Sequence, residues 1–347
     1  MMQQRHLYSN EIVFRGHPDK VCDQISGAIL NFLLKDDPYT RAGIEVVGGK
    51  NLIVVTGEVS TNALFTSAIL VNIVKEVLQR VGYDSTKYEI IDNLGKQSSD
   101  IALGVNVGGA GDQGMMFGYA CRDTEEYLPT AMVILQKFAR AYDELRKQYP
   151  RLLFPDGKAQ ITGEYVGRKL VRIKTFLCSY QNAETRRAYT DTLIKTMILD
   201  IIKPYGIEIE TILLNPTGKF HVGGFEADAG LTGRKIVVDA YQSFANVGGG
   251  CMNGKDPTKV DFSASHKARQ IAKQMLIDNP DIDWCEVQLS YAIGKAEPLA
   301  IYIETDVGSI VPPRSLYREC TPKRIINDLG LKELDFEELA KFGHFVS

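Results

Sequence analysis

One order of elements, helix, strand, strand, helix and strand, can be followed three times along the sequence. The first helix shows the pattern most clearly, because Pro18 suits a first helical position and apolar residues recur at a spacing of four through Val21, Ile25 and Ile29. The first copy is predicted as a helix over 18–34, strands over 43–47 and 52–58, a helix over 68–78 and a strand over 89–91.

The same order returns twice. The second copy is predicted as a helix through Ala131 to Tyr142, strands over 159–165 and 170–177, a helix through Leu193 to Ile201 and a strand over 211–214. The third is predicted as a helix over 263–276, strands over 284–289 and 299–305, and a helix after Pro322. This pattern predicts an α+β protein with three similar domains related by a pseudo-threefold repeat, each a mixed sheet with helices on one face.

The predicted domains are an N-terminal α+β domain over 1–102, a central one over 103–228 and a C-terminal one over 229–347, with exchange of segments between them left open. A unit of this kind leaves one sheet face uncovered. We therefore expect the sheets to pack against one another or against a second subunit.

Composition narrows the class of function. The chain has 347 residues, 44% of them hydrophobic, and a net charge of -3, so it offers no broad basic surface for nucleic acid. Its six cysteines form no C-x-x-C pair, which disfavours a structural zinc or a disulfide framework. The N-terminus lacks an apolar signal core and no apolar run is long enough to cross a bilayer, so we expect a cytoplasmic protein without a membrane partner.

The stretch Gly248–Asp261, GGGCMNGKDPTKVD, combines backbone freedom with paired charge. Its glycines allow backbone N–H groups to converge on an anion, Lys255 and Lys259 add cations, and Asp256 and Asp261 could bind magnesium. From Gly249 the spacing follows a Walker A loop, except that Asp256 replaces the hydroxyl that such a loop needs. A solvated surface loop is the alternative for the segment taken alone.

The motif GHPDK places His17 and Asp19 at the start of the first helix, where free N–H groups and the helix dipole attract phosphate. His17 could donate to phosphate oxygens and Asp19 could bind magnesium. A plain helix-capping role is the alternative, since Asp is favoured at a helix N-terminus by the dipole alone.

Further charged residues stand in strands and turns. Glu45 and Glu58 interrupt apolar strands, which places them on a solvated face or beside a ligand. The glycine-rich run from Gly95 to Gly114 suits a mobile lid or a plain connector. Basic side chains recur beside glycines in three turns, over 156–158, 215–220 and 228–235, and such a recurrence suits a polyphosphate ligand.

Together these motifs resemble the S-adenosylmethionine synthetases. GHPDK, GAGDQG, GLTGRK and GGGCMNGKDPTKVD occur in that family's order and rough spacing, and the resemblance covers the chain from Tyr8 to Phe345. It implies methionine adenosyltransferase activity, in which the sulfur of L-methionine attacks C5′ of ATP and the expelled triphosphate is hydrolysed to pyrophosphate and phosphate.

The resemblance also implies roles for individual residues. The implied catalytic residues are His17, Lys158, Arg234, Lys235 and Lys255, which would grip the triphosphate. The implied ATP-binding residues are these five with Asp156, Lys219, Phe220, Asp228 and Cys251. The implied methionine-binding residues are Glu58, Gln97, Asp228 and Lys259. The implied metal ligands are Asp19 and Asp261 for magnesium, with two ions per site, and Glu45 for potassium.

The family resemblance further implies a homodimer with active sites between subunits, a dimer of dimers being left open. Two other classes remain as alternatives at this point: a P-loop-like kinase or ATPase, which Asp256 disfavours, and a nucleotide-binding regulatory protein without turnover, which the charged motifs in all three units disfavour.

Overall fold

The computed structural model describes residues 5–96 and 109–345. The strands are β1 (Arg5–Val13), β2 (Arg41–Gly49), β3 (Leu52–Ser60), β4 (Glu89–Gly95), β5 (Gly114–Cys121), β6 (Leu153–Val166), β7 (Lys169–Asn182), β8 (Ile209–Leu214), β9 (Gly230–Leu231), β10 (Trp284–Tyr291), β11 (Ala300–Thr305) and β12 (Gly308–Ile310). The α-helices are α1 (Pro18–Asp36), α2 (Ser67–Val81), α3 (Thr130–Gln148), α4 (Arg187–Ile202), α5 (Ile236–Asp239), α6 (Val260–Asp278), α7 (Arg314–Glu319), α8 (Pro322–Asp328) and α9 (Phe336–Phe342).

The described strands form three four-stranded sheets, in the orders β4-β3-β2-β9, β1-β6-β7-β8 and β12-β11-β10-β5. In the first two sheets an antiparallel hairpin is followed by a helix and then by a strand parallel to the second arm, β3 with β4 and β7 with β8. The third sheet ends differently, because β12 returns antiparallel to β11. The first two sheets are therefore mixed, and the third is antiparallel throughout. Sheets combined with helices in this way confirm the predicted α+β class.

Each unit gives one strand to the sheet of another unit. β1 precedes α1 but pairs antiparallel with β6 in the central sheet. β5 precedes α3 but pairs antiparallel with β10 in the third sheet. β9 lies upstream of α6 and pairs antiparallel with β2 in the first sheet. The exchange of strands is therefore cyclic, from the first unit to the second, from the second to the third and from the third to the first. It joins the three units into a single folded structure.

The predicted helices and hairpin strands are present at nearly their predicted positions, whereas β1, β5, β9 and β12 were not anticipated. The turn predicted over 156–158 is wrong, because these residues lie within β6. No strand was predicted directly after the glycine-rich run that ends at Gly114, yet Gly114–Cys121 pairs along its whole length with β10. Within that glycine-rich run, residues 97–108 lie outside the described residues. The domain boundaries after residues 102 and 228 stay a prediction.

Helix α1 packs against α2, α9, β2 and β9. Its apolar stripe is fully buried, and the residues on its other faces between Pro18 and Leu30 are buried as well. Gly27 allows this packing, because a Cβ there would overlap the backbone at Phe336. Among the described residues, every helix is too short or too polar to traverse a lipid bilayer.

Candidate active site

The N-terminus of α1 is where the predicted phosphate site begins. His17 is the N-cap residue, and its Nδ1 accepts a hydrogen bond of 3.2 Å from the backbone N–H of Asp19. In the neutral ring the proton then lies on Nε2, which is left as a donor. Burial, followed by the positive charge of Lys235, lowers the pKa of His17 to about 4. The ring is therefore neutral at neutral pH.

Asp19 joins this helix to the GLTGRK segment. Its Oδ1 accepts from the backbone N–H of Leu231 at 2.9 Å, and its Oδ2 accepts from Lys235 Nζ at 2.5 Å. Arg234 Nε lies 3.7 Å from Oδ1. The segment approaches this closely because Gly230 has no side chain; a Cβ there would overlap the backbone of Pro18. Burial raises the pKa of Asp19, but the contacts from Lys235 and Leu231 outweigh it and lower the pKa overall.

Strand β6 brings two further predicted residues to this cluster. Lys158 is exposed, and its charge is one of the factors that lower the pKa of His17. Asp156 is buried and accepts a hydrogen bond of 2.7 Å from the backbone N–H of Gly224, while burial raises its pKa to about 6. Asp228 is exposed and acts on His17 in the opposite sense to Lys158.

A second cluster forms at the start of α6. Lys255 Nζ donates a hydrogen bond to Asp261 Oδ2 in the first turn of that helix. Lys259, the N-cap residue, lies 3.3 Å from Glu58 on β3 through its Nζ and Oε1. The predicted residues of the glycine-rich stretch are thus brought beside those of the first hairpin.

Strand β2 contacts both clusters, at two positions along its length. Gly43 forms a β-bridge with Lys255, and Val47 pairs with Leu231, which lies three residues before Arg234 in the sequence. Four residue steps separate these two positions, which corresponds to about 13 Å along an extended strand. Glu45 lies between them on the exposed face of the strand. Desolvation raises the pKa of Glu45, and the charge of Lys255 opposes the rise.

Asp256, one of the two aspartates of the glycine-rich stretch interpreted as possible magnesium ligands, is held by backbone N–H groups. Its side chain is fully buried. Oδ2 accepts from the backbone N–H of Ala42 at 2.8 Å, and Oδ1 accepts from the backbone N–H and hydroxyl of Thr258 at 2.9 and 2.6 Å. Asp256 therefore anchors the loop to β2.

The remaining predicted site residues lie on loops or outside the described chain. Lys219 and Phe220 follow β8, where the Phe220 carbonyl accepts from the backbone N–H of Asn182 at 2.9 Å. Cys251, in the segment between α5 and α6, is half-buried and lies beside Gly233 of the loop that follows β9. Gln97, predicted to contact methionine, lies outside the described residues.

Sequence reasoning missed a buried polar network under the two clusters. It comprises Lys20, Asp23, Asp239, Asn253 and His344, each at most 5% exposed. The available signal was a lysine and an aspartate at positions 20 and 23, one turn apart in the first half of helix α1. Two charged residues one turn apart usually lie on the solvent-exposed face of a helix, so the helix sequence alone does not indicate that they are buried.

Three family models match the chain in succession. They are the N-terminal, central and C-terminal domains of S-adenosylmethionine synthetase, over residues 5–100, 107–220 and 222–347. The chain belongs to the S-adenosylmethionine synthetase family. The predicted family and its methionine adenosyltransferase activity are thereby confirmed, and ATP and methionine are the substrates.

Similar proteins from three organisms support this assignment to the S-adenosylmethionine synthetases. The S-adenosylmethionine synthase of Clostridium tetani (strain Massachusetts / E88) is 39% identical, covering 98% of this chain and 94% of the relative. Those of Thermosynechococcus vestitus (strain NIES-2133 / IAM M-273 / BP-1) and Salinispora arenicola (strain CNS-205) are each 38% identical, covering 98% of this chain and 93% and 94% of the relatives.

Proposed function

We propose that the cluster around Asp19 binds the triphosphate of ATP while S-adenosylmethionine is formed. This proposal rests on the contact between the GHPDK and GLTGRK motifs, which places His17, Arg234 and Lys235 around the carboxylate of Asp19. Lys158 extends the group of cations from the neighbouring sheet. Such a group of preorganised donors suits a polyanion whose charge grows as it leaves.

The first step forms a bond between the methionine sulfur and C5′ of ATP and breaks the bond from C5′ to the triphosphate oxygen, which keeps the electron pair. A thioether is a nucleophile without deprotonation, so this step needs no general base. The side chains have to align sulfur, carbon and leaving oxygen and stabilise the negative charge. In the second step water cleaves the bound triphosphate to pyrophosphate and phosphate, and the same cations hold it in place.

Magnesium and potassium fit the available donors. Within the described residues, no group of three or more His, Cys, Asp or Glu side chains could hold a metal ion by itself. Magnesium usually takes one or two protein carboxylates and completes its shell with phosphate and water oxygens. Asp19 and Asp261 each supply one carboxylate beside a lysine, and Glu45 supplies the potassium ligand. The bound cations would neutralise phosphate charge.

The second cluster is assigned to the methionine side and to the far end of the triphosphate. Lys255 and Asp261 would contact the phosphates and their metal. Glu58, Gln97, Asp228 and Lys259 would surround methionine. Lys219, Phe220, Asp156 and Cys251 would border the adenosine and the remaining nucleotide surface.

The complete site is proposed to form between two subunits of a homodimer. Apolar side chains are exposed on the sheet faces that the helices leave open, among them Val47, Ile91 and Leu213 at 40, 40 and 42% exposure. Their burial in a dimer would release ordered water and stabilise the assembly. The cluster around Asp19 in one subunit would then face the cluster around Lys255 of the partner subunit.

A cytoplasmic location agrees with the six free cysteines.

Complementation between two inactive variants tests this arrangement. Arg234→Ala removes a cation from the first cluster and Lys255→Ala removes one from the second. If each site combines the two clusters from different subunits, half of the sites in a mixed dimer are intact. Co-expression of both variants in equal amounts should therefore restore about a quarter of the wild-type rate of sulfonium formation.

Each variant expressed alone is the control and should be nearly inactive. Absence of restoration in a mixed dimer, shown to be mixed by two affinity tags, would overturn the shared site. Sedimentation of the wild-type protein distinguishes a dimer from a dimer of dimers. Wild-type protein that forms no sulfonium from ATP, methionine, magnesium and potassium would overturn the catalytic proposal itself.

A further inference from the structure

The buried network beneath the active site connects four separate segments. Lys20 Nζ donates to Asp239 Oδ1 at 2.5 Å and lies 3.1 Å from Asp23 Oδ2. Asp239 Oδ2 accepts from Asn253 Nδ2 at 2.8 Å, and Asn253 Oδ1 lies 2.8 Å from His344 Nε2. The other end reaches the GLTGRK segment, where Asp23 Oδ1 accepts from the backbone N–H of Gly233 at 2.9 Å.

The direction of these hydrogen bonds follows from their partners. The Asp239 carboxylate can only accept, so the amide nitrogen of Asn253 faces it and the amide oxygen faces His344. His344 Nε2 therefore carries the proton and donates. The backbone N–H of His344 also donates to the carbonyl of Asp239 at 2.9 Å. The C-terminal segment thus holds both Asn253 and the end of α5.

Three members of the network, Lys20, Asp239 and Asn253, stand close in sequence to residues that are assigned to the site, and Asp23 reaches a fourth such residue through Gly233. Lys20 follows Asp19, Gly233 precedes Arg234, Asp239 lies one turn after Lys235, and Asn253 lies two residues before Lys255. A buried charged network is costly to assemble and offers stability only when all its members are satisfied. Its position suggests a role in geometry.

We infer that Asn253, Asp239 and His344 are positioning residues, which hold the Lys255 loop and the Arg234–Lys235 turn at fixed places relative to α1. This inference rests on the proposed assignment of those cations to the triphosphate. The side chains of the three positioning residues act through the backbone of their neighbours and do not touch substrate. A misplacement of reacting groups by about 1 Å costs on the order of 100-fold in rate.

His344→Phe removes the donor to Asn253 and keeps a ring of similar size, whereas His344→Gln retains an N–H group that can reach the same oxygen. We expect His344→Phe to lower kcat for sulfonium formation by about 100-fold, with the KM for ATP changed less than kcat. His344→Gln should recover most of that loss. All rates are compared well below the melting temperature of every variant.

Asn10→Ala is the matched control. Asn10 is 2% exposed, donates to the carbonyl of Gln242 at 2.8 Å and accepts from the Tyr165 hydroxyl at 3.0 Å. Its loss removes one donor and one acceptor, as Asn253→Ala does. We expect Asn10→Ala to lower the melting temperature and leave kcat and KM within twofold of wild type.

If the network has a purely structural role, Asn253→Ala and His344→Phe should behave like Asn10→Ala: stability falls and kcat stays at the wild-type value. That result would overturn the inference. The proposed function would still stand, because the wild-type protein turns over. If His344→Phe does not fold, Asn253→Ser, which keeps a small polar group, takes its place with the same expectation for kcat. A wild-type protein without turnover would overturn the proposed function and this inference with it.

Discussion

Lys235 Nζ and Asp19 Oδ2 lie 2.5 Å apart although 216 positions separate the two residues in the chain. The contact neutralises a buried carboxylate with a cation that is also assigned to the triphosphate. Lys235→Ala should therefore lower kcat/KM for sulfonium formation by about 100-fold, as loss of one preorganised donor does in other sites. Initial rates with ATP and methionine measure the effect.

The control for that substitution is Lys174→Ala, which removes a lysine from an exposed pair with Glu210. It should leave both rate and stability unchanged, because exposed ion pairs contribute little. A Lys235→Ala enzyme with near wild-type kcat/KM would remove Lys235 from the catalytic assignment.

Two glycines of the Gly248–Asp261 stretch should respond differently to alanine. Gly254 has φ +73, and a Cβ there would overlap the carbonyl of Ile44. Gly254→Ala should lower the free energy of unfolding by about 2 kcal/mol or more, through backbone strain and displacement of the loop. Gly249 has no heavy atom within 4 Å of an added Cβ, so Gly249→Ala should be neutral. Denaturant melts compare them, and equal losses would contradict the loop geometry.

Acid should destabilise the fold through His344. Burial, with a smaller effect from the charge of Lys20, lowers the pKa of this ring to about 3. Between about pH 3 and the ordinary value near 6.5 the unfolded chain binds a proton that the folded chain does not, so stability falls as pH falls. At pH 5.5 the loss attributable to His344 should be about 1.4 kcal/mol relative to neutral pH.

Comparison with His344→Gln isolates that contribution, since the variant cannot titrate there. Thermal melts at pH 7.5 and 5.5 should show a smaller decrease in the variant than in wild type. His266, whose pKa is likewise lowered to about 3 by burial, acts in the same sense in both proteins. The same pH dependence in both proteins would show that His344 is not a buried neutral ring.

Asp261→Asn should raise the magnesium concentration for half-maximal activity by at least tenfold, because a neutral amide is a poorer ligand for a hard cation. Asp256→Asn is the internal comparison from the same loop. It should lower the melting temperature, since Asp256 is fully buried among N–H donors, without changing the magnesium requirement. A shared shift in both variants would assign the effect to the loop and not to a ligand.

Local periodicity predicted the helices and hairpins because each has apolar residues that recur at the period of its own secondary structure. Helix α1 and the β2–β3 hairpin are examples, and their apolar alternation is visible in the sequence. Strands β1 and β5 escaped prediction because their partners, β6 and β10, lie far along the chain and no local pattern specifies such a pairing.

The charged motifs identified the residues around Asp19 and Lys255, since glycine beside Lys, Arg or Asp is a local signal. Contacts such as Asn253 with His344 depend on tertiary packing that has no local signature. The anchoring role of Asp256 likewise depends on a tertiary contact, since its carboxylate accepts from the backbone N–H of Ala42, which is distant in the sequence.

The cyclic strand exchange has a consequence for biosynthesis. Strand β1 is synthesised before its partner β6 and stays unpaired until β6 has been made. The first sheet is complete only when Gly230 and Leu231 have been made. Strand edges stay open for most of translation, and long-range pairings of this kind fold slowly. Nascent chains should therefore depend on chaperones until the last third emerges, and a stop codon within that third should yield aggregates instead of a trimmed but folded protein.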